Sequence, residues 1–132
     1  MDAVAVREIP VFSAFDESQC AQIASVCQEL EVEVGKKLTE EGDFGYAMFA
    51  VLDGTADVTR NGSYIRTLGP GDVFGEIAIF FGGQRTATVT ATTPMRLVML
   101  FNQALFRLDH DFPELANELR KVIAERLERD RA

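Results

Sequence analysis

The sequence has no tryptophan, two cysteines, one histidine and only 13 Lys and Arg among its 132 residues. Each shortage closes a class of function. Against 21 Asp and Glu the formal net charge is −8. Nucleic-acid backbones are gripped mainly by basic side chains, so direct binding of DNA or RNA is not expected. The same acidic balance does not steer an anionic small ligand inward, so any phosphate site has to be built locally. His110 with Cys20 and Cys27 does not make a zinc site. Read on one helix, seven residues apart, the two cysteines lie about 10 Å from each other. That is beyond disulfide reach, and both read as small buried apolar groups. The longest apolar candidate, Val73 to Phe81, is short and carries Glu76, so no membrane-spanning segment is expected. Met1 to Val11 contains Asp2, Arg7 and Glu8 and lacks the apolar core of a signal peptide. A soluble, cytoplasmic protein is the expectation.

What is present suffices for one core. The chain is 47% hydrophobic and holds ten Phe, which sets it apart from disordered compositions. Asp16 to Leu30 reads as a helix, with a capping-box pattern at Asp16 and Gln19 and apolar groups at Cys20, Ile23, Ala24, Cys27 and Leu30. Ile9, Pro10, Val11, Phe12 and Phe15 form an apolar segment before it. From Glu29 to Val34 the period becomes two, with Leu30, Val32 and Val34 alternating against three glutamates.

From there to Phe101 the chain is a series of short strands cut by glycines. Asn61-Gly62 is a two-residue hairpin signal, Asp53-Gly54 a second turn and Gly69-Pro70-Gly71-Asp72 a third. Thr86 to Thr93 and Met95 to Phe101 close the series. Such spacing predicts a jelly roll or small barrel, mainly β, with flanking helices. Helical spacing returns at Gln103 to Leu108, and again from Pro113, where Asp111 and Glu114 form a second capping-box pattern. Leu115, Leu119, Val122, Ile123 and Leu127 give that last helix an apolar stripe.

The chemistry concentrates in residues 74 to 89. Gly75 permits a sharp turn after Phe74, and Glu76 to Phe80 can form one helical turn. The main-chain N–H groups of Glu76, Ile77 and Ala78 then stand at a helix start, where an anion is favoured. Arg85 is the only basic residue between Arg66 and Arg96. Its guanidinium can hold a phosphate with two parallel hydrogen bonds. Ionised Glu76 only accepts, which suits a sugar hydroxyl. The three elements match a ribose joined to a phosphate. A Glu76–Arg85 ion pair that merely closes the loop fits the same residues.

The run Phe74-Gly75-Glu76-Ile77-Ala78-Ile79, followed by Gln84-Arg85-Thr86-Ala87-Thr88-Val89, resembles the phosphate-binding cassette of the cyclic nucleotide-binding domain family. Glu41-Gly42-Asp43, Gly54 and Leu68-Gly69-Pro70-Gly71-Asp72 resemble the family's upstream pattern. The resemblance runs from about Ile9 to Leu127. It implies an eight-stranded jelly-roll barrel with an N-terminal helical segment (residues 1–29), a barrel (30–101) and C-terminal helices (102–132), the last helix acting as a lid. It implies cAMP or cGMP as ligand, with Glu76 on the ribose 2′-hydroxyl and Arg85 on the cyclic phosphate. The amides of Ile77, Ala78 and Ala87 assist, and Gly75 allows close approach. Thr86 is placed to read the base, a hydroxyl there often going with cGMP. Gln84 departs from a common proline, and Phe80-Phe81 is bulkier than usual. Leu119, Val122, Ile123 and Arg126 are candidates to cap the purine.

The expected role is therefore a sensor without catalytic or metal residues. It would act through a downstream protein or a fused effector, with a homodimer through the C-terminal helix as a further possibility. Two other classes compete: a barrel of this fold that binds no ligand and serves as an interaction module, and a cupin-like metal enzyme. The latter needs clustered histidines on the barrel, which a single His110 does not supply.

Overall fold

A computed structural model describes residues 3–75 and 84–131. Its strands are β1 (Cys27–Val32), β2 (Lys37–Thr39), β3 (Ala47–Asp53), β4 (Ala56–Arg60), β5 (Ser63–Leu68), β6 (Val73–Phe74), β7 (Thr88–Ala91) and β8 (Met95–Phe101). They form two antiparallel four-stranded sheets, ordered β1-β8-β3-β6 and β2-β7-β4-β5. Pairing joins first to last, second to seventh, third to sixth and fourth to fifth. That is one long hairpin folded at its middle and wound up, the jelly-roll arrangement expected from the sequence.

The fold point is local chemistry. Asn61 sits at φ +51° and Gly62 at φ +76°, the pair of left-handed conformations a tight hairpin requires. Arg60 and Ser63 face each other across it. Alternation sets the inner surface: Ala56, Val58, Val89 and Ala91 are buried while Thr88 and Thr90 between them are half-buried. β3 is buried along most of its length, Ala47 to Val51.

The chain divides into two compact units. One is residues 29–99, the barrel strands; the other joins residues 1–28 to residues 100–132. In the second, α1 (Ala3–Glu8) and a 3-10 turn (Pro10–Phe12) precede α2 (Glu17–Val26), and α3 (Asn102–Asp111) and α4 (Pro113–Arg131) follow β8. α1 packs on α2, α2 on α3, α3 on α4, and the 3-10 turn on α4. Val6, Ile9, Phe12, Cys20, Ile23, Leu108, Leu119 and Ile123 are among its most deeply buried side chains. The predicted Asp16 capping box is made: Asp16 Oδ1 accepts from Gln19 N–H at 2.8 Å and Gln19 Oε1 from Asp16 N–H at 2.9 Å.

Three expectations are corrected. The helix predicted to reach Leu30 stops at Val26, and Cys27 opens β1. Extended pairing takes over because Cys27 at ψ 155° already has strand geometry. The two cysteines therefore do not share a helix, although both are buried and unpaired. The strand expected to reach Val34 ends at Val32, and Val34 is exposed. Asp111 closes α3 rather than capping the last helix, and its Oδ1 lies 3.0 Å from His110 Nδ1.

Candidate functional site

Winding the paired ribbon brings two connections together. Residues 40–46 link β2 to β3, and their partner leads from β6 into β7. Phe44 and Gln84 form an antiparallel bridge. Next to it, Arg85 N–H donates to Asp43 O at 2.6 Å, and Gly42 N–H donates to Arg85 O at 3.0 Å. The main chain of Arg85 is thus fixed on both sides by two adjoining residues.

Its side chain turns into the barrel wall. Nη2 donates to Ala47 O at 2.6 Å and Nη1 to Gly75 O at 2.9 Å. A cation meeting two carbonyl oxygens makes charge-assisted hydrogen bonds, and together they tie the half-buried guanidinium to the first residue of β3 and the first residue after β6. Gly75 makes this possible. It stands at φ +82°, and a Cβ there would lie 2.7 Å from Arg85 Nη1 and 3.0 Å from Ala47 O. The close approach that glycine permits is, in this structure, an approach by the arginine itself.

The remaining predicted residues fall into four groups. Phe74 is buried in β6, opposite Phe49, and the two rings stack with centroids 4.9 Å apart; it anchors the start of the cassette in the core. Thr86 is exposed, with its carbonyl accepting from Arg60 Nε at 3.0 Å, and Ala87 O accepts from Thr39 Oγ1 at 3.0 Å. Glu76, Ile77 and Ala78 lie outside the described residues, as does the helical turn predicted for 76–80. The alternative Glu76–Arg85 ion pair lies outside them too. Of the residues considered for capping a base, Leu119 and Ile123 are buried and Val122 half-buried. The Arg126 side chain is outside the described set.

Three contributors escaped the sequence reading: the carbonyls of Ala47 and Asp43, and the side chain of Arg60. Main-chain oxygens leave no mark in residue type, and Arg60 reads as an ordinary solvated charge beside a hairpin. Glu41-Gly42-Asp43 carried a signal, as glycine punctuation, without its pairing to Arg85. An open cleft of about 570 Å³ lies elsewhere, lined by Glu31, Glu33, Asp53, Pro94 and Arg96 among others and by none of the cassette residues described.

Burial pushes the Cys27 thiol up to about 12, which leaves it protonated and unreactive at neutral pH. His110 stands exposed on α3.

The sequence profile described as Cyclic nucleotide-binding domain matches residues 29–110. The chain belongs to the cyclic nucleotide-binding domain family. Among relatives of this domain, the cAMP-dependent protein kinase regulatory subunit of Schizosaccharomyces pombe is 34% identical over 104 residues, 78% of the chain and 25% of that protein. The CRP-like cAMP-activated global transcriptional regulator of Mycobacterium tuberculosis is 29% identical over 134 residues, 98% of the chain and 59% of that protein. The chain therefore spans a quarter to three-fifths of the length of these two relatives. The crystal structure of the N-terminal domain of a transcriptional regulator from Streptomyces coelicolor A3(2) superposes with a TM-score of 0.81 at 30% identity, covering 96% of this domain and 94% of that chain. No helix of the described residues is long and apolar enough to cross a membrane.

Proposed function

We propose that this domain is a cyclic nucleotide sensor that binds cAMP, cGMP or both in residues 74–89 and passes the signal on by rearrangement of its C-terminal helices. The observation that carries this reading is Arg85, a cation fixed through main chain and side chain at the corner where residues 40–46 meet the cassette. The phosphate falls to Arg85 and to the amides of Ile77, Ala78 and Ala87. The ribose 2′-hydroxyl falls to Glu76, and Thr86 faces the base. Phe74 and Gly75 hold the cassette in shape. The whole chain acts as one binding domain, the barrel supplying the site and the C-terminal helices the response.

Its work is recognition rather than catalysis, and it needs no metal or cofactor. A ligand shifts such a module only as far as its affinity differs between the two arrangements, so the output has to come from a protein that reads the helices. That reader is a downstream partner or a fused effector domain, with a second copy docking through α4 as another route. Two buried unpaired thiols suit a reducing compartment, and we place the domain in the cytoplasm.

Calorimetric titration with cAMP and cGMP tests the reading. Saturable binding is expected. Arg85→Ala should weaken it by roughly 2–5 kcal/mol, the cost of removing one partner of a buried charge pair. Glu76→Ala should cost about 1–3 kcal/mol, the loss of hydrogen bonding to a charged acceptor. Thr86→Ala should lower cGMP affinity more than cAMP affinity. No heat from either nucleotide up to millimolar concentration would leave a ligand-free interaction module as the better account.

A further inference from the structure

The β4–β5 turn reaches the arginine segment from outside, by two contacts. Arg60 Nε donates to Thr86 O at 3.0 Å. One residue further on, Asn61 N–H, turned outward by its left-handed backbone at φ +51°, donates to both carboxylate oxygens of Glu41, at 2.9 and 3.1 Å. Glu41 is held in turn, its own N–H donating to Thr88 Oγ1 at 3.1 Å. Glu41 directly precedes Gly42 and Asp43, which pair with Arg85, and Thr86 directly follows Arg85. The contacts thus close a ring: from Glu41 through Gly42 and Asp43 to Arg85, along the chain to Thr86, across to Arg60, and through Asn61 back to Glu41. Three connections distant in sequence are locked into one corner, with Arg85 in the ring.

Resting on the reading of Arg85 as the phosphate ligand, we propose that Arg60 and Glu41 are positioning residues for cyclic nucleotide binding. They brace the main chain on either side of Arg85 so that its guanidinium is presented in one place. Neither has to touch the nucleotide. The effect is preorganisation: a segment already ordered loses less freedom on binding. Closed circuits of hydrogen bonds also respond to deletion of one member more than independent contacts do.

Simple electrostatics makes the opposite prediction for one of the two residues. If the neighbourhood acted only through its charge, removing the carboxylate of Glu41 would favour an anionic ligand, and removing Arg60 would disfavour it. A brace requires both removals to weaken binding.

The experiment is titration of cAMP into the full chain and into Glu41→Ala, Arg60→Ala, the double variant and Glu41→Gln, with thermal melting of each recorded alongside. Each alanine variant should bind roughly three- to tenfold more weakly, the equivalent of one or two net hydrogen bonds. The double variant should lose less than the product of the single losses, since both belong to one ring. Glu41→Gln keeps an oxygen for the Asn61 N–H without the charge, and should return affinity to within about twofold of the parent. Tighter binding by Glu41→Ala, parental binding by either alanine variant, strictly additive losses, or no recovery with Gln would each overturn the brace while leaving the nucleotide site standing. Failure of the unmodified chain to bind cAMP or cGMP would instead remove the reading beneath it.

Discussion

Arg85 carries hydrogen bonds to two main-chain carbonyls, and Gly75 is the residue that leaves room for them. Gly75→Ala should therefore fail twice. A side chain at φ +82° costs about 1–3 kcal/mol in backbone strain, and the new methyl would lie within 3.0 Å of Ala47 O and closer still to the guanidinium. Urea denaturation should show the loss of stability, and titration a weaker site. Combined with Arg85→Ala, the same substitution should cost less, because the nearest obstacle is gone while the strain remains. Equal costs in the two backgrounds would mean that Gly75 serves the turn alone. Residue types made half of this arrangement legible. A lone arginine amid glycines and threonines stands out in a sequence, and so does a glycine after a strand. Ala47 does not, because its contribution is a carbonyl that any residue would own. Arg60 is hidden for the opposite reason, since exposed charges beside hairpins are everywhere.

Among elements, the legible ones were those whose signals are local. Asn61-Gly62 dictates a hairpin by backbone preference, and Asp16 with Gln19 dictates a helix start by side-chain reach; both are seen. Boundaries decided by pairing across the sheet were not. Cys20, Ile23, Ala24, Cys27 and Leu30 keep helical spacing, yet the last two belong to β1, because strand pairing outweighs periodicity over so short a run. The α3–α4 pair holds a contact that spacing could not have suggested: Arg120 donates to both carboxylate oxygens of Asp109, eleven residues earlier. Those hydrogen bonds hold the Asp109 carboxyl below its ordinary value, with the Arg120 charge adding to the effect and burial opposing it. A carboxyl depressed in the folded state stabilises fully above its unfolded value, near pH 4, and loses that contribution as pH falls through the folded value. The pair is partly exposed, so solvent screens it and the effect is modest. Asp109→Asn should be less stable than the parent by a constant margin from about pH 5 upward, and that margin should shrink below about pH 4. Urea denaturation across this range measures it, and a margin indifferent to pH would assign the loss to packing instead.

At the scale of the molecule, the ribbon is what turns a linear motif into a site. Folding at Asn61-Gly62 pairs β2 with β7 and β3 with β6, and the connections 40–46 and 84–87 meet as a consequence. The strand count and turns pointed to a barrel, but the winding that sets these two segments together is a long-range choice that no local pattern encodes. The chain's two compact units then pose the mechanistic question. Arg85 lies in residues 29–99, whereas α4 belongs with residues 1–28 and 100–132. A sensor that merely filled its barrel would alter the first unit alone; one that signals through its helices must alter both. Hydrogen exchange separates these cases if the right amides are followed. A ligand at a hundred times its dissociation constant stabilises the native state by about 2.7 kcal/mol, so amides that exchange through global unfolding slow everywhere and say nothing about the route. The informative ones exchange through local openings. With saturating cAMP, the Arg85 amide, bonded to Asp43 O, should gain protection, and so should locally opening amides along α4. In Arg85→Ala both gains should shrink together at the same nucleotide concentration. Protection confined to residues 29–99 would keep the binding site and overturn the lid, since a ligand that leaves the helices' local opening unchanged has no differential hold on them and cannot drive their rearrangement.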